Sequence, residues 1–329
     1  MTRQQLLDAI ATQIADYRRG EIVAPTPAHI DRWIKQFDDD VQLPILAELH
    51  HVFERMYFNE NRVTAFLSGI ATNAKLTGAD PESFWRGAQL LNIQRTGNSQ
   101  SDILAKFDAV LKKQFGFGVD ACVGSSGVYV YLDEAIFSGT KVRNDLMAWL
   151  QAAPSTLSVH VVTIAVHQGG EWHAGEKVRA EAKKLGKTLD LKFWRCKTLE
   201  DRKTYMADSD LLKPTSLPDD PGVAEYVEEI DDPEHPLVLR PGKKVGKNGV
   251  FSSHDGRALL EREFLKAGVR IRKMCPNLPA TMRPLGYHYF VTLGYGALLV
   301  THRNCPNNAP LVFWVSPPWY PLFQRKPNE

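Results

Sequence analysis

The chain has 329 residues, 43% hydrophobic, 24% charged and 10% aromatic, a balance that excludes a disordered tail, a collagen-like chain and a small disulfide scaffold. Net charge is +2, yet residues 241–329 hold 13 Lys and Arg against 4 Asp and Glu, which is +9 there and −7 over residues 1–240. Such an asymmetry steers an anionic ligand or nucleic acid toward the last third, unless acids elsewhere in the chain pair with it.

The first residues, MTRQQLLDAIATQIADYRRG, read as an amphipathic helix rather than a charged n-region and apolar h-region, so no secretory signal is expected. Apolar residues then recur at helical spacing to about residue 95: Ile30, Trp33, Ile34 and Phe37, then Leu46, Leu49, Val52, Phe53 and Met56, then Val63, Phe66, Leu67 and Ile70. We expect a helical amino-terminal region over 1–95. His50 and His51 are neighbours on a helix, about 100° apart, and do not suit one metal ion.

Between 96 and 215 the pattern changes to short β-branched runs alternating with amphipathic helices. Helix Ile103–Phe115 leads into a Gly-rich turn; strand Val128–Leu132 precedes helix Lys141–Leu150; strand Leu157–Val166 precedes helix Glu171–Leu185; and Leu189–Trp194 makes a third strand. Alternation of this kind specifies parallel βαβ units, and a run such as VHVVTIAV needs cover on both faces of the sheet.

Within this core, GVYVYLDEAIFSGTKVRNDLMAWL (127–150) carries the chemistry. A strand ends in two acids, and a Ser-Gly-Thr-Lys loop opens a helix. Amides at a helix N-terminus, with the hydroxyls of Ser138 and Thr140, form a cradle for a phosphate monoester. Gly139 lets backbone approach the phosphate, and Lys141 adds a cation. Asp133 and Glu134 can accept hydrogen bonds from adjacent ribose hydroxyls. A Mg2+ ion would be held by the ligand's own oxygens, so no protein metal site is expected.

The last third, 216–329, reads as a basic, mixed α+β region. The acidic stretch Asp219–Glu234 has eight acids and no Lys or Arg, and is expected to pair within the chain or to be solvated. A helix follows at about Gly256–Ala267, then strand-like runs Tyr287–Leu293, Ala297–Thr301 and Leu311–Val315, expected as an antiparallel addition to the central sheet. Gly242–Lys247 has the wrong glycine spacing for a P-loop. Trp314, Trp319 and Tyr320 read as core or interface aromatics. The four cysteines show no zinc-ligand spacing, and no apolar run approaches the roughly 20 residues of a membrane span. A cytoplasmic protein without membrane contact is expected.

The segment Asp133-Glu134-Ala135-Ile136-Phe137-Ser138-Gly139-Thr140-Lys141 resembles the phosphoribosyl-pyrophosphate (PRPP) motif of type I phosphoribosyltransferases: a hydrophobic strand, two acids, a short spacer, then a small residue, Gly and Thr. The resemblance implies an α/β, parallel-sheet, Rossmann-like phosphoribosyltransferase core over 96–215. It also implies that Asp133 and Glu134 hold the ribose hydroxyls, that Phe137, Ser138, Gly139, Thr140 and Lys141 hold the 5′-phosphate, and that Mg2+ accompanies PRPP. Phe137 departs from the motif, standing where the resemblance implies an Asp that handles the base's proton in purine-using members and a Thr in orotate-using members. Val123–Gly127, with Ser125 and Ser126, is the expected pyrophosphate loop.

The whole chain is similar to a narrower group of phosphoribosyltransferase-like proteins from bacterial conflict systems, through Arg283-Pro-Leu-Gly-Tyr287, Asn304-Cys-Pro-Asn-Asn-Ala-Pro310 and Phe313-Trp314 followed by Trp319-Tyr-Pro-Leu-Phe323. That similarity implies an anti-phage effector or toxin. Its partners would be PRPP or a nucleotide, a nucleic acid such as a retron's non-coding RNA or msDNA, or a protein such as a reverse transcriptase or winged-helix protein. Arg283 and Asn304 would help to close the ligand site. Two functions follow as expectations: phosphoribosyl transfer to an unknown acceptor, or a catalytically silent nucleotide sensor that regulates a partner.

Overall fold

The computed structural model describes residues 1–326 apart from 96 and 235. In chain order the elements are α1 (Arg3–Gln13), α2 (Pro27–Ile34), α3 (Asp39–Met56), β1 (Tyr57–Phe58), α4 (Glu60–Ala71), α5 (Ala74–Thr77), α6 (Pro81–Gly87), β2 (Gln89–Leu91) and α7 (Ser99–Phe115). There follow β3 (Val128–Ile136), α8 (Thr140–Leu150), β4 (Thr156–His167), α9 (Gln168–Lys184) and β5 (Thr188–Leu199). The chain continues through α10 (Pro221–Glu229), α11 (His254–Met274), β6 (Met282–Arg283), β7 (Gly286–Tyr287), β8 (Val300–Thr301) and α12 (Leu311–Trp314). None of these helices is long and apolar enough to cross a membrane.

The chain packs as two compact units, one formed by Met1–Glu60 with Glu200–Lys326 and the other by Asn61–Leu199. The helical region expected over 1–95 thus contributes its first sixty residues to one unit and the rest to the other. In the first unit, aromatic side chains of α2, α3 and α11 meet those that follow residue 310. Trp33, Phe53, Phe264, Phe313 and Phe323 are all buried, with ring centroids 5.4–6.3 Å apart in contacting pairs. The Trp33 indole donates to the Val312 carbonyl at 2.8 Å, giving its buried N–H a partner. Trp319 is buried in the same core and also donates to Val312, so the expected aromatic role holds for it.

The second unit contains an α/β core: a four-stranded sheet of order β2-β3-β4-β5, parallel throughout. β4 is buried along nearly its whole length, whereas β5 is an edge studded with Lys192, Arg195 and Lys197 that blunt further pairing. Val142, Leu146 and Leu150 of α8 and Val178 and Ala182 of α9 bury Tyr129, Tyr131, Val159, Val161 and Leu191 on one sheet face. β2 escaped the sequence reading because three residues are too few to show a period of two.

Two expectations for the last third are corrected. Among the described residues it adds no strand to the four-stranded sheet: β6 and β7 form their own antiparallel pair, and β8 pairs parallel with β1. Leu311–Trp314 is a helical turn rather than a strand, since Pro310 has no N–H to give a ladder and starts a turn instead. The acidic stretch does pair within the chain: Asp220 caps α10 through the Val223 amide at 2.9 Å, and Glu225 pairs with Lys273.

Candidate active site

β3 runs to Ile136, so Asp133 and Glu134 lie inside the strand rather than beyond its end. Consecutive strand residues face opposite sides of a sheet. Asp133 shares a face with Tyr131, beneath α8, and is 4% exposed, whereas Glu134 is half-buried on the other face. One Asp133 carboxylate oxygen accepts from the Glu134 amide at 2.8 Å, and the other lies 3.9 Å from the Lys141 ammonium. Lys141 in turn donates to the Ser99 hydroxyl at 2.9 Å, tying the first turn of α8 to the first turn of α7.

A second buried carboxyl completes the group. The Tyr131 hydroxyl donates to Asp145 at 3.0 Å and its oxygen lies 3.5 Å from Asp133. A phenol has one proton to give, so Asp145, at the shorter distance, receives it. Burial raises the Asp145 carboxyl above its ordinary value, and burial beside two carboxyls keeps the Tyr131 phenol protonated. The sequence reading missed Tyr131, Asp145 and Ser99. Strand period two places Tyr131 beside Asp133, and helix spacing i, i+4 places Asp145 below Lys141, so both were within reach of the pattern. Ser99 carries no local signal.

The loop from Phe137 to Lys141 enters α8 with Gly139 at φ 76°, a left-handed conformation suited to glycine. Its side-chain space is not open toward a ligand, as the sequence reading had it. A Cβ there would sit 2.1 Å from the carbonyl oxygen of Gly170, and one on Gly170 would sit 1.8 Å from that of Phe137. The loop is therefore pressed backbone to backbone on the first turn of α9. The Ser138 hydroxyl points along the loop to Thr140 at 3.2 Å. Phe137 stacks on the His167 ring, centroids 5.0 Å apart and planes 28° from parallel, and His167 Nδ1 bonds the Ile136 carbonyl at 2.8 Å. His167 is fully buried and braces the loop from below.

Asp133, Ser138, Thr140 and Lys141 thus come together at the carboxyl end of a parallel strand, where open α/β sheets take ligands. Ser125 and Ser126 do not join them. Ser125 and Ser126 precede β3, and eight strand steps of about 3.3 Å put them roughly 26 Å from the loop at its far end. Ser126 instead bonds the Gly87 carbonyl through both its hydroxyl, at 2.8 Å, and its amide, at 3.0 Å. That distance removes them from the role of pyrophosphate loop. Arg283 and Asn304 belong to the other unit. Asn304 organises a turn there, accepting from the Cys305 and Lys326 amides at 3.0 and 2.9 Å. Among the described residues no three His, Cys, Asp or Glu gather as a metal site.

A family model described as PRTase-CE matches residues 30–325 of the chain. No curated protein and no solved structure matches it.

Proposed function

Because the chain belongs to the PRTase-CE family and is phosphoribosyltransferase-like, we propose that it binds PRPP, or a nucleotide phosphate of the same form, at the carboxyl end of β3. The observation that carries the reading is the tie of Lys141 to both Asp133 and Ser99, which sets a cation, a carboxylate and two helix N-termini around one point. The α8 amides with Ser138, Thr140 and Lys141 take the 5′-phosphate, where helix N-termini favour anions. Asp133 takes a ribose hydroxyl, with Glu134 on the opposite face of the strand reaching the second. The pyrophosphate end lies toward Ser99 at the start of α7, in place of Ser125 and Ser126.

Mg2+ would come as a ligand-borne ion, with the hard carboxylate oxygens of Asp133 and Glu134 near it; bound there it would neutralise the pyrophosphate. In the transfer, the bond from C1′ to the pyrophosphate oxygen breaks and the acceptor's bond to C1′ forms, through an oxocarbenium-like state. The chain's contribution is positioning and charge stabilisation. An anti-phage effector, working with a retron reverse transcriptase, a winged-helix protein or a nucleic acid, is the setting we propose for it.

One observation favours the silent sensor as a second reading. Phe137 is committed to its stack on His167 and has no group with which to move a proton. Calorimetric titration of PRPP with Mg2+ tests the site: the wild type binds, and the doubly substituted Asp133→Asn/Glu134→Gln protein does not. Pyrophosphate release with nucleobases, nucleic acid and partner proteins separates the readings, since transfer requires release and sensing does not. A folded wild type that fails to bind PRPP would sink both.

A further inference from the structure

The two carboxyls beneath α8 share one phenol, and they share it unequally. Tyr131 is fully buried, Asp133 is 4% exposed and Asp145 is 5% exposed. A phenol has a single O–H to give. It goes to Asp145 at 3.0 Å, whereas its oxygen stands 3.5 Å from Oδ2 of Asp133, beyond the roughly 2.5–3.0 Å of an ordinary O–H···O bond. Asp145 also accepts the Arg95 amide, which comes from the segment that follows β2. The charged and titratable groups around Asp145 are therefore Tyr131 and Asp133 of β3 and Lys141, one turn earlier on α8.

This arrangement leaves the two oxygens of Asp133 different. Oδ1 accepts from the Glu134 amide at 2.8 Å. Oδ2 has Lys141 at 3.9 Å, but Lys141 gives its short bond to Ser99, at 2.9 Å. Among the described residues no donor stands at ordinary hydrogen-bond length from Oδ2. Buried carboxylate oxygens ordinarily accept a hydrogen bond, so this one is set to accept from a ligand. Resting on the PRPP reading, we infer that Asp145 is a positioning residue: by holding the Tyr131 proton it keeps Oδ2 of Asp133 as the acceptor for a sugar hydroxyl. Without Asp145 the phenol turns its O–H to the nearest remaining carboxylate, Asp133, and competes with the ligand. A role in packing alone produces no such competition.

Asp145→Leu, similar in shape and without an acceptor, and the double variant Tyr131→Phe/Asp145→Leu test this in the full chain. In a ligand-free crystal structure of Asp145→Leu the phenol oxygen is expected within about 3 Å of Oδ2 of Asp133. Calorimetric affinity for PRPP with Mg2+ is expected to fall roughly tenfold in Asp145→Leu, the worth of one hydrogen bond, and to return in the double variant. Urea unfolding is expected to show both variants destabilised, so the recovery of affinity is not a recovery of stability. A phenol that stays off Asp133 in Asp145→Leu overturns the inference, as does unchanged affinity or a loss that Tyr131→Phe does not restore. A wild type that binds no PRPP overturns the PRPP reading instead, and the position of the phenol, read without ligand, still decides what Asp145 does. Should Asp145→Leu fail to fold, Asp145→Ala removes the acceptor without adding bulk and carries the same expectations.

Discussion

Asp133 is held by two neighbours of different kinds, an amide and an ammonium, with the Tyr131 phenol oxygen 3.5 Å away. Replacing Lys141 by Met removes the cation shared by Asp133 and Ser99, and a lost charge-assisted contact to phosphate weakens PRPP binding by roughly 10- to 100-fold in a titration. Asp145 reports differently. Its carboxyl is raised in the folded protein, so as pH climbs through the ordinary carboxylate range the unfolded chain gives up its proton first. Stability therefore falls with rising pH across that window, and urea unfolding of Asp145→Asn should show the slope flattened. At Gly139 the direction is set by sterics. A Cβ meets the Gly170 carbonyl at 2.1 Å in a left-handed backbone, and Gly139→Ala should lower stability by on the order of 3 kcal/mol, read as a loss of Tm.

At the scale of elements, the central strand carries its own test. His160 of β4 is buried, accepts from the Trp194 indole at 2.9 Å and bonds Ser158 at 3.2 Å, and burial pushes its pKa down to about 4. It is neutral when folded, so its contribution is complete above the unfolded pKa of about 6.5 and is lost as pH falls toward 4. Acid unfolding of His160→Gln should be shallower over that interval. The strands and helices around His160 were legible because each spans enough residues to show a period of two or of 3.6, as in VHVVTIAV or Val142-Leu146-Leu150. The turn from β3 into α8 was legible through its Gly and hydroxyls. What could not be read was long-range: the brace of Gly170 under Gly139, the Lys141–Ser99 bond across 42 positions, and the short strands of the last third, where Pro and Gly erase periodicity.

Over the whole molecule, the charge asymmetry of the sequence does not survive folding. The unit made from 1–60 and 200–326 holds 23 Lys and Arg against 25 Asp and Glu, while residues 61–199 hold 17 against 12. The basic last third is brought into one unit with the acids of the first sixty residues and of 200–240, and the positive excess belongs to the unit with the parallel sheet. An anionic polymer should therefore bind through 61–199, with affinity that falls steeply with salt and is reduced by neutralising Lys183, Lys184 and Lys187. The same discontinuity orders events during synthesis. Phe53 and Tyr17 pack on Phe323, so the first sixty residues have no completed core until some 270 more have been made. At about 5–20 residues per second the ribosome takes roughly 13–50 s to deliver them. The parallel-sheet unit emerges whole in the meantime, while Trp33, Phe37 and Phe53 wait uncovered, and it is in that interval that a nascent chain of this design calls on chaperones.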